Sequence, residues 1–246
     1  MELESYRQAA ELIRQSRRAV ALTGAGISTP SGIQDFRSPG AGLWNQVDPA
    51  RVASIQAFMH DPAVFYDWFG GTALQMYAAE PNAAHRALAE METRGILRAV
   101  VTQNIDGLHH KAASRRVLEV HGSMRTASCV QCGRQAAARP LLERYLQDRA
   151  IPRCAHCEGA MKPDVVLFGE MLPAEVLMEA REEIAHCDLL LVVGSSLTVA
   201  PAADLPWLAL QARAPLIICN REPTWADPYA AFVLREDVAA SLPALL

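Results

Sequence analysis

Residues 24–37 read Gly-Ala-Gly-Ile-Ser-Thr-Pro-Ser-Gly-Ile-Gln-Asp-Phe-Arg, and the apolar segment Ala19–Leu22 runs directly into them. Gly24 and Gly26 stand just after this segment, two positions apart. Glycine lets the backbone turn sharply and come close to a ligand, and backbone N–H groups beyond such a turn can bind phosphate oxygens. The stretch therefore predicts an α/β sheet with a nucleotide diphosphate at the end of its first strand.

The loop differs from the ordinary dinucleotide-binding fingerprint, G-x-G-x-x-G. Thr29 occupies the position of the third glycine, and the acidic residue expected about 20 residues further on is replaced by Asp35, within the same loop. A G-x-G pair alone is also compatible with a tight strand-to-helix turn that binds nothing. The loop as a whole is much more specific evidence for a bound ligand than the G-x-G pair, because it also carries the acid, aromatic ring and base of Asp35-Phe36-Arg37.

Length, composition and charge exclude several classes of protein. The chain has 246 residues, of which 51% are hydrophobic, enough for one large domain with a small insertion. A net charge of −4 without a long basic run argues against a broad nucleic-acid surface. The N-terminus lacks an apolar secretory core, and the strongest apolar run, Leu189–Val193, is too short to cross a membrane. We expect a cytoplasmic protein that binds neither membrane nor nucleic acid and does not require a stable oligomer.

Apolar runs and helical periodicity alternate along the chain. Strands are predicted at residues 19–22, 96–101, 117–120, 165–170, 188–193, 216–219 and 232–234. Helices are predicted from Leu3 to an end at Arg17-Arg18, over residues 82–94, from Pro62 with a break at Gly70-Gly71, and from Pro173. This order indicates a Rossmann-like, doubly wound parallel sheet of the α/β class. The strand ends at Gly24, Asn104, Gly194 and Asn220 would then form one ligand-binding edge.

The segment from Ala50 to Tyr77 is rich in aromatic residues. They are Phe58, Phe65, Tyr66, Trp68, Phe69 and Tyr77. Such a stripe is more often the core of a small subdomain than a cofactor site. We interpret the segment as a helical insertion that leans over the glycine loop and that can also form part of the substrate pocket.

Two cysteine pairs, Cys129-x-x-Cys132 and Cys154-x-x-Cys157, are separated by 21 residues. Each pair can present two thiolates on one tight turn, and together they complete a tetrahedron, which favours zinc over redox-active or free thiols. Four cysteines leave no open coordination position, so the zinc should be structural and should fold a small ribbon module. Cys187 and Cys219 lie in apolar runs and are expected in the core.

Taken together, these motifs resemble those of the sirtuins, the NAD-dependent protein deacylases, from about Ala19 to Val238. The resemblance rests on residues 24–37, 102–109, 119–122, 165–170, 194–201 and 220–222 and on both cysteine pairs, in the order of the family. One departure is Gln34, where the family usually has proline. The resemblance implies a single catalytic domain over residues 1–246. It divides into a large NAD-binding part at about 1–38, 82–122 and 164–246, a helical insertion at about 39–81, and a zinc module at about 123–163.

The resemblance also implies an activity, NAD-dependent removal of acetyl groups from protein lysine, with transfer of the acetyl group to ADP-ribose and release of nicotinamide. His121 resembles the general base that takes a proton from a ribose hydroxyl, and Asn104 resembles the residue that orients the nicotinamide ribose. Alternatively, His121 only satisfies a strand end, and Asp35 with Arg37 forms only a surface ion pair. His109 belongs to the same family motif but is expected to be structural.

The resemblance assigns further positions to NAD and to the acyl-lysine substrate. The implied cofactor-binding residues are Gly24, Ala25, Gly26, Asp35, Phe36, Arg37, Gln103, Asn104, Ile105, Asp106, His121, Gly194, Ser195, Ser196, Asn220, Arg221 and Val238. The implied substrate contacts are Val166, Phe168, Gly169, Leu197 and Val199, on two segments between which the peptide would add as a strand.

Some sirtuins accept acidic acyl groups through a tyrosine and an arginine in the helical insertion. An ungapped comparison places those positions near Gly71 and Ala73, whose side chains cannot bind a carboxylate. We therefore expect acetyl, or longer apolar acyl groups, in preference to succinyl. The alternatives to deacylation are a mono-ADP-ribosyltransferase on the same scaffold, a hydride-transferring dehydrogenase, and a non-catalytic zinc-ribbon binding module.

Overall fold

The structure is a computed structural model and describes residues 2–35, 42–45 and 47–246. Its strands are β1 (Ala19–Thr23), β2 (Leu97–Thr102), β3 (Val117–Glu119), β4 (Gly122–Cys129), β5 (Gln135–Ala137), β6 (Met161–Val165), β7 (Leu189–Val193), β8 (Leu216–Cys219) and β9 (Phe232–Leu234). Its α-helices are α1 (Glu2–Gln15), α2 (Pro49–Val52), α3 (Ile55–His60), α4 (Pro62–Ala78), α5 (Ala83–Thr93), α6 (Leu108–Lys111), α7 (Ala138–Asp148), α8 (Ala174–Ala185), α9 (Pro206–Gln211) and α10 (Val238–Ser241).

Six parallel strands form the main sheet in the order β3-β2-β1-β7-β8-β9, which confirms the predicted α/β class. β1 lies in the middle, paired with β2 on one side and with β7 on the other. All five residues of β1 and of β7 are buried. Parallel strands covered by helices on both faces are expected to be apolar throughout, which is why these strands show no polar alternation.

Helices cover both faces of this sheet. On one face, Ile13 of α1 and Leu88 of α5 join a buried cluster with Val100 of β2. On the other face, Ile184 of α8 and Ala209 of α9 pack in a second cluster. The strand order turns back at β1, between β2 and β7, and a crevice opens there at the carboxyl ends of the strands.

A second, antiparallel sheet has the order β5-β4-β6 and carries the four metal-binding cysteines. Its core is continuous with that of α3 and α4. Tyr66 of α4 and Tyr145 of α7 have ring centroids 4.9 Å apart, and Phe58 and Phe65 are each 1% exposed. The predicted aromatic core of the helical insertion is therefore confirmed, and this core also includes residues of the zinc-binding part.

The predicted helix break at Gly70-Gly71 is wrong, because α4 runs without interruption from Pro62 to Ala78. A Cβ on Gly70 would lie 2.8 Å from Cδ2 of Leu146, whereas one on Gly71 would meet no atom within 4 Å. Gly70 therefore allows α7 to approach α4 closely. Packing of the apolar side chains of α4 outweighs the low helix propensity of two glycines.

The prediction that residues 165–170 re-enter the main sheet is also wrong. Val165 is the last residue of β6 and pairs with Gly122 in the antiparallel sheet. The chain beyond it is irregular, with one isolated bridge between Phe168 and Ser54. A short apolar run does not reveal which sheet it joins, and here it forms a wall of the crevice instead.

The helix boundaries follow local capping chemistry. Asn82 caps α5 by accepting from the N–H of Ala84, and His85 completes a capping box, as the predicted start at residue 82 requires. Pro173 directly precedes α8, again as predicted. Among the described residues, no helix has the length and apolar character needed to traverse a lipid bilayer.

Candidate active site

A cavity of about 450 Å³ opens at the carboxyl edge of the parallel sheet. Gly24, Asn104, Gly194 and Asn220, which follow β1, β2, β7 and β8, all line it. These four strand ends, which were predicted to form one ligand-binding edge, are brought together in the structure. Open α/β sheets bind their ligands at this place.

The glycine turn after β1 is pressed against the turn after β7. The N–H of Gly26 donates to the carbonyl of Gly194 over 2.8 Å, and a Cβ on Gly26 would lie 2.8 Å from the same oxygen. Gly194 has φ +61°, and a Cβ there would lie 2.2 Å from the nitrogen of Ile27. Gly26 and Gly194 are thus required because the two loops contact each other. This contact cannot be read from the sequence.

Asn104 is held in a fixed orientation at the floor of the cavity. It is 8% exposed, and its side-chain amide donates to the carbonyl of Gly24 and to Oγ of Ser28, each over 3.1 Å. Ser28 Oγ in turn donates to Oδ2 of Asp106 over 2.7 Å. A side chain restrained in this way can present its amide oxygen to a ligand without first reorganising.

Asp106 is also fixed within the protein. Its Oδ1 accepts the N–H of Leu108 over 2.8 Å. Burial raises the pKa of this carboxyl, while its hydrogen bonds act in the opposite direction. Beside it lies a small side cavity that shares Ala25, Asn104 and Ile105 with the main one.

His121 lines the main cavity and has a defined tautomer. Its Nδ1–H donates to the carbonyl of Gln103 over 3.0 Å, which makes Nε2 the accepting nitrogen of the neutral ring. The carbonyl of His121 accepts the N–H of Val166 over 2.8 Å. The histidine therefore connects Gln103, at the end of β2, to segment 165–170.

Two other histidines lie beneath the site and are buried, His85 at 0% and His109 at 2% exposure. His109 Nε2 lies 2.9 Å from Oγ1 of Thr23, which donates to Oγ1 of Thr102 over 2.8 Å. Desolvation lowers the pKa of His85 to about 4 and that of His109 well below its ordinary value. Both rings are neutral at pH 7, as suits the structural role expected of His109.

Not every residue implied by the resemblance reaches the cavity. Leu197 is 3% exposed and Val238 is 5% exposed, and both pack in the cores. Arg221 donates to Asp237 over 2.6 Å, away from the cavity lining. Phe36 and Arg37 lie outside the described residues.

Asp106 lines the small side cavity instead of the main one. The other implied positions line the main cavity. They are Ala25, Gly26, Asp35, Gln103, Ile105, Ser195, Ser196, Val166, Phe168, Gly169 and Val199. Gln103 and Ser195 also contact each other, since the amide of Gln103 donates to Ser195 Oγ over 2.9 Å.

The aromatic wall of the cavity comes from α4. Phe65, Trp68 and Phe69 line the cavity, whereas Gly71 and Ala73 do not. The two positions taken from the ungapped comparison are therefore wrong, because the cavity-facing side of α4 lies one turn earlier. The described lining residues include Asp35, Glu170 and Glu222 but no lysine or arginine.

Four sulfur atoms form the candidate metal centre. Those of Cys129, Cys132, Cys154 and Cys157 all lie within 4.8 Å of one another, with Cys129 and Cys157 3.4 Å apart and Cys132 and Cys154 3.7 Å apart. Sulfurs of a tetrahedral zinc thiolate site are separated by roughly 3.8 Å, given a Zn–S bond of about 2.3 Å. The four thiols fit zinc and leave no coordination position for a substrate.

One family model and two known proteins match this chain over most of its length. The model of the Sir2 family matches residues 24–201. The chain is 50% identical to NAD-dependent protein deacylase 2 of Archaeoglobus fulgidus, over 92% of this chain and 88% of that protein. It is 46% identical to NAD-dependent protein deacetylase 2 of Caldanaerobacter subterraneus subsp. tengcongensis, over 96% and 93%.

Solved structures show the same likeness. A structure from work on the mechanism and regulation of Sir2 enzymes superposes with a TM-score of 0.91 at 47% identity, covering 100% of this chain and 97% of the other. A Sir2–p53 peptide–NAD+ complex superposes with a TM-score of 0.88 at 37% identity, covering 96% and 95%.

Proposed function

The chain belongs to the Sir2 family, and from this premise we propose that the cavity at the carboxyl edge of its sheet is the active site of an NAD-dependent protein lysine deacetylase. The observation that carries the proposal is the convergence of the restrained amide of Asn104 and the oriented imidazole of His121 on one cavity. The overall reaction consumes acetyl-lysine, NAD and water and yields lysine, nicotinamide and acetylated ADP-ribose.

The lining of the cavity has the donors that NAD needs. Hydroxyl groups of Ser195 and Ser196 and the amide of Asn220 lie at the strand ends beside the glycine turn, where phosphate and ribose oxygens are bound in this fold class. The N–H groups of Gly24 and Gly26 are already donated within the protein, so the serine donors are assigned to phosphate. When bound, NAD supplies the ribose carbon from which nicotinamide departs and to which the acetyl oxygen becomes bonded.

Each side chain then has a task set by its contacts. Asn104, fixed by Gly24 and Ser28, orients the nicotinamide ribose. His121 accepts a proton from a ribose hydroxyl at Nε2, because its Nδ1 proton is held by Gln103. Ile105 and Asp106, which line the small side cavity, are assigned to the nicotinamide end of the cofactor. The cofactor-contact roles of Phe36 and Arg37 stay predictions.

The acetylated protein segment would lie between residues 165–169 and 196–199. Backbone hydrogen bonds of an added strand give affinity with little demand on side chains. Val166 and Phe168 on one segment and Val199 on the other supply apolar surface for the lysine stem.

The test of this function is mass spectrometry of an acetyl-lysine peptide incubated with the protein, with and without NAD. Loss of the acetyl group only with NAD, together with nicotinamide and acetylated ADP-ribose, is the expected result. Replacing His121 by alanine should lower kcat by about 100-fold or more, since a general base contributes 10²–10⁴-fold. His186→Ala is the matched control, because His186 is exposed and its ring nitrogen hydrogen-bonds to the carbonyl of Glu182 in the preceding helix.

Three results would contradict the proposal. Transfer of ADP-ribose onto unmodified protein would indicate the transferase, and peptide turnover that does not depend on NAD would exclude the family reaction. Failure to bind NAD at all would favour a zinc-ribbon binding module.

Apolar acyl groups longer than acetyl are a second class of substrate, favoured by the aromatic wall of Phe65, Trp68 and Phe69. A carboxylate at the end of the acyl chain would meet this wall without a cationic partner among the described lining residues. We predict that kcat/KM for a succinyl peptide falls at least tenfold below that for acetyl, whereas a butyryl peptide stays within tenfold of acetyl. Comparable turnover of succinyl and acetyl peptides would contradict this.

The remaining expectations stand as proposals. The division into a large NAD-binding part, a helical insertion and a zinc module follows the boundaries given for the sequence. A cytoplasmic location is supported by six cysteines that are all free thiols, four of them grouped for a metal. Neither nucleic acid nor a stable oligomer is required for the reaction.

A further inference from the structure

Lys162 is a nearly buried lysine near the start of β6, where it pairs with Ser128 of β4 in the zinc-binding sheet. Its side chain is 13% exposed, unusual for a residue type that is mostly exposed. The ammonium donates to the carbonyls of Pro163 and Val165 over 3.1 Å and 2.9 Å and to Oε2 of Glu170 over 3.1 Å. All three of its donors are thereby used, and none of these partners belongs to the residues assigned to NAD.

Glu170 connects Lys162 to the backbone of segment 165–170. The same Oε2 accepts the N–H of Leu167 over 2.8 Å, and the N–H of Glu170 donates to the carbonyl of Leu167 over 3.0 Å. These bonds close a turn at Gly169, which has φ +87°. The turn determines where Phe168, 44% exposed, stands at the cavity.

Backbone hydrogen bonds also attach the segment to two other parts of the molecule, and they include one from the N–H of Ile55 to the carbonyl of Phe168 over 3.0 Å. Val166 donates to the carbonyl of His121 over 2.8 Å, and Phe168 donates to the carbonyl of Ala53 over 2.9 Å. Through its side chain, Lys162 also attaches the segment to the zinc-binding sheet. Its neighbour Met161 belongs to that sheet and pairs with Cys129 across β4 and β6. The lysine is thus the direct side-chain link between the metal-bearing sheet and the wall along which the peptide would lie.

We propose that Lys162 is a positioning residue for the protein substrate, which acts through Glu170 to hold segment 165–170 in the shape that accepts a peptide strand. The inference rests on the proposed function, in which this segment binds the peptide. It differs from an ordinary surface ion pair, such as Arg144–Asp148 with side chains 75% and 46% exposed, because the Lys162–Glu170 pair is shielded from water at 13% and 23% exposure. Loss of the ammonium should therefore weaken peptide binding and leave NAD binding almost unchanged.

The test compares Lys162→Met with Arg144→Met in the full-length, zinc-loaded protein. Methionine keeps an unbranched apolar stem but has no donors. For Lys162→Met, we expect KM for an acetyl-lysine peptide, and Kd of a fluorescein-labelled form of it measured by anisotropy, to rise about tenfold, a typical effect of lost charged hydrogen bonds. KM for NAD should stay within twofold, and Arg144→Met should change neither constant.

Zinc content and the unfolding temperature establish that each variant is folded. If Lys162→Met does not fold, Glu170→Gln provides the same comparison, since it keeps the size of the side chain and loses its charge. An unchanged peptide Kd in a folded variant would overturn the inference, as would an equal rise of both KM values. Failure of the proposed function is distinguishable, because then the unmodified protein itself would show no NAD-dependent deacetylation.

Discussion

The amide of Asn104 depends on partners that lie far away in the chain. Ser28, which accepts from it, precedes it by 76 residues, and Ser28 also lies 3.4 Å from Nε2 of His85. Since Nδ1 of His85 accepts the N–H of Asn82, Nε2 carries the proton of the neutral ring and donates to Ser28. A series of hydrogen bonds between neutral groups therefore sets the orientation of Asn104, the residue assigned to the nicotinamide ribose.

These buried neutral histidines make stability dependent on pH. The pKa of His85 is about 4 in the folded chain and about 6.5 in an unfolded one. As pH falls from 6.5 towards 4, the unfolded state takes up a proton that the folded state does not. The stabilisation is complete above pH 6.5 and decreases across this window by up to about 3 kcal/mol for His85, and His109 acts in the same direction.

Urea unfolding at pH 7.5, 6.5, 5.5 and 4.5 checks this prediction. The free energy of unfolding of His85→Gln should fall less steeply with decreasing pH than that of the unmodified chain, while the exposed His186→Gln control should keep the original slope. Identical slopes for all three proteins would show that the buried ring does not titrate as proposed.

The residues at motif positions could be predicted from the sequence. The residues that hold them in place through hydrogen bonds could not. Asn104 and His121 stand at strand ends in recognisable motifs, so the sequence could place them at the cavity. Ser28 and Thr23 act through hydroxyl contacts that exist only once β1 and β2 lie side by side. At Leu197 the motif position did not reveal the direction of the side chain, since Ser196 and Val199 line the cavity while the side chain of Leu197 enters the core.

At the scale of an element, α4 contains two adjacent glycines with opposite surroundings. Gly71 is exposed and a Cβ there would meet no atom within 4 Å, whereas a Cβ on Gly70 would meet Leu146 at 2.8 Å. We predict that Gly71→Ala stabilises the protein by about 0.5–1 kcal/mol, because alanine loses less backbone entropy in a helix. Gly70→Ala should lose part or all of this gain, since the Leu146 side chain would have to move. Denaturant unfolding measures both changes, and equal gains would contradict the close packing of α4 and α7.

Local patterns predicted most helices and strands, but they could not place segment 165–170. Helix α5 and its cap were found because capping is a local interaction between Asn82 and the first turn. Segment 165–170 looks like a strand in composition, but its partners are His121, Ala53 and Lys162, which only the folded chain brings together. The helix break was predicted from propensity, which tertiary packing outweighed.

Across the whole molecule, the metal centre stabilises more than its own sheet. Tyr145, Leu142 and Met124 from the cysteine-bearing part join Phe65 and the rest of α4 in one buried cluster. Loss of the metal should therefore disturb the aromatic wall of the cavity as well as the three-stranded sheet.

We predict that Cys132→Ser lowers the zinc content from one per chain to near zero, lowers the unfolding temperature by about 10 °C or more, and abolishes deacetylation. Cys187→Ala is the control, because Cys187 is buried against α8 and the main sheet and lies outside the cysteine cluster. It should keep the full zinc content. Zinc analysis and calorimetry on both variants make the measurement, and a fully active Cys132→Ser protein without zinc would contradict the assignment.

The central position of β1 has a consequence for synthesis on the ribosome. Ala19–Thr23 of β1 pairs with Leu97–Thr102 and also with Leu189–Val193, about 170 residues later in the chain. A nascent chain therefore carries an apolar strand with one open edge until β7 has left the exit tunnel, and such edges are where chains aggregate. Since Asn220 at the end of β8 also belongs to the cavity, the complete site exists only after nine-tenths of the chain has been made. A prematurely terminated chain would consequently be a client for chaperones and not a partial enzyme.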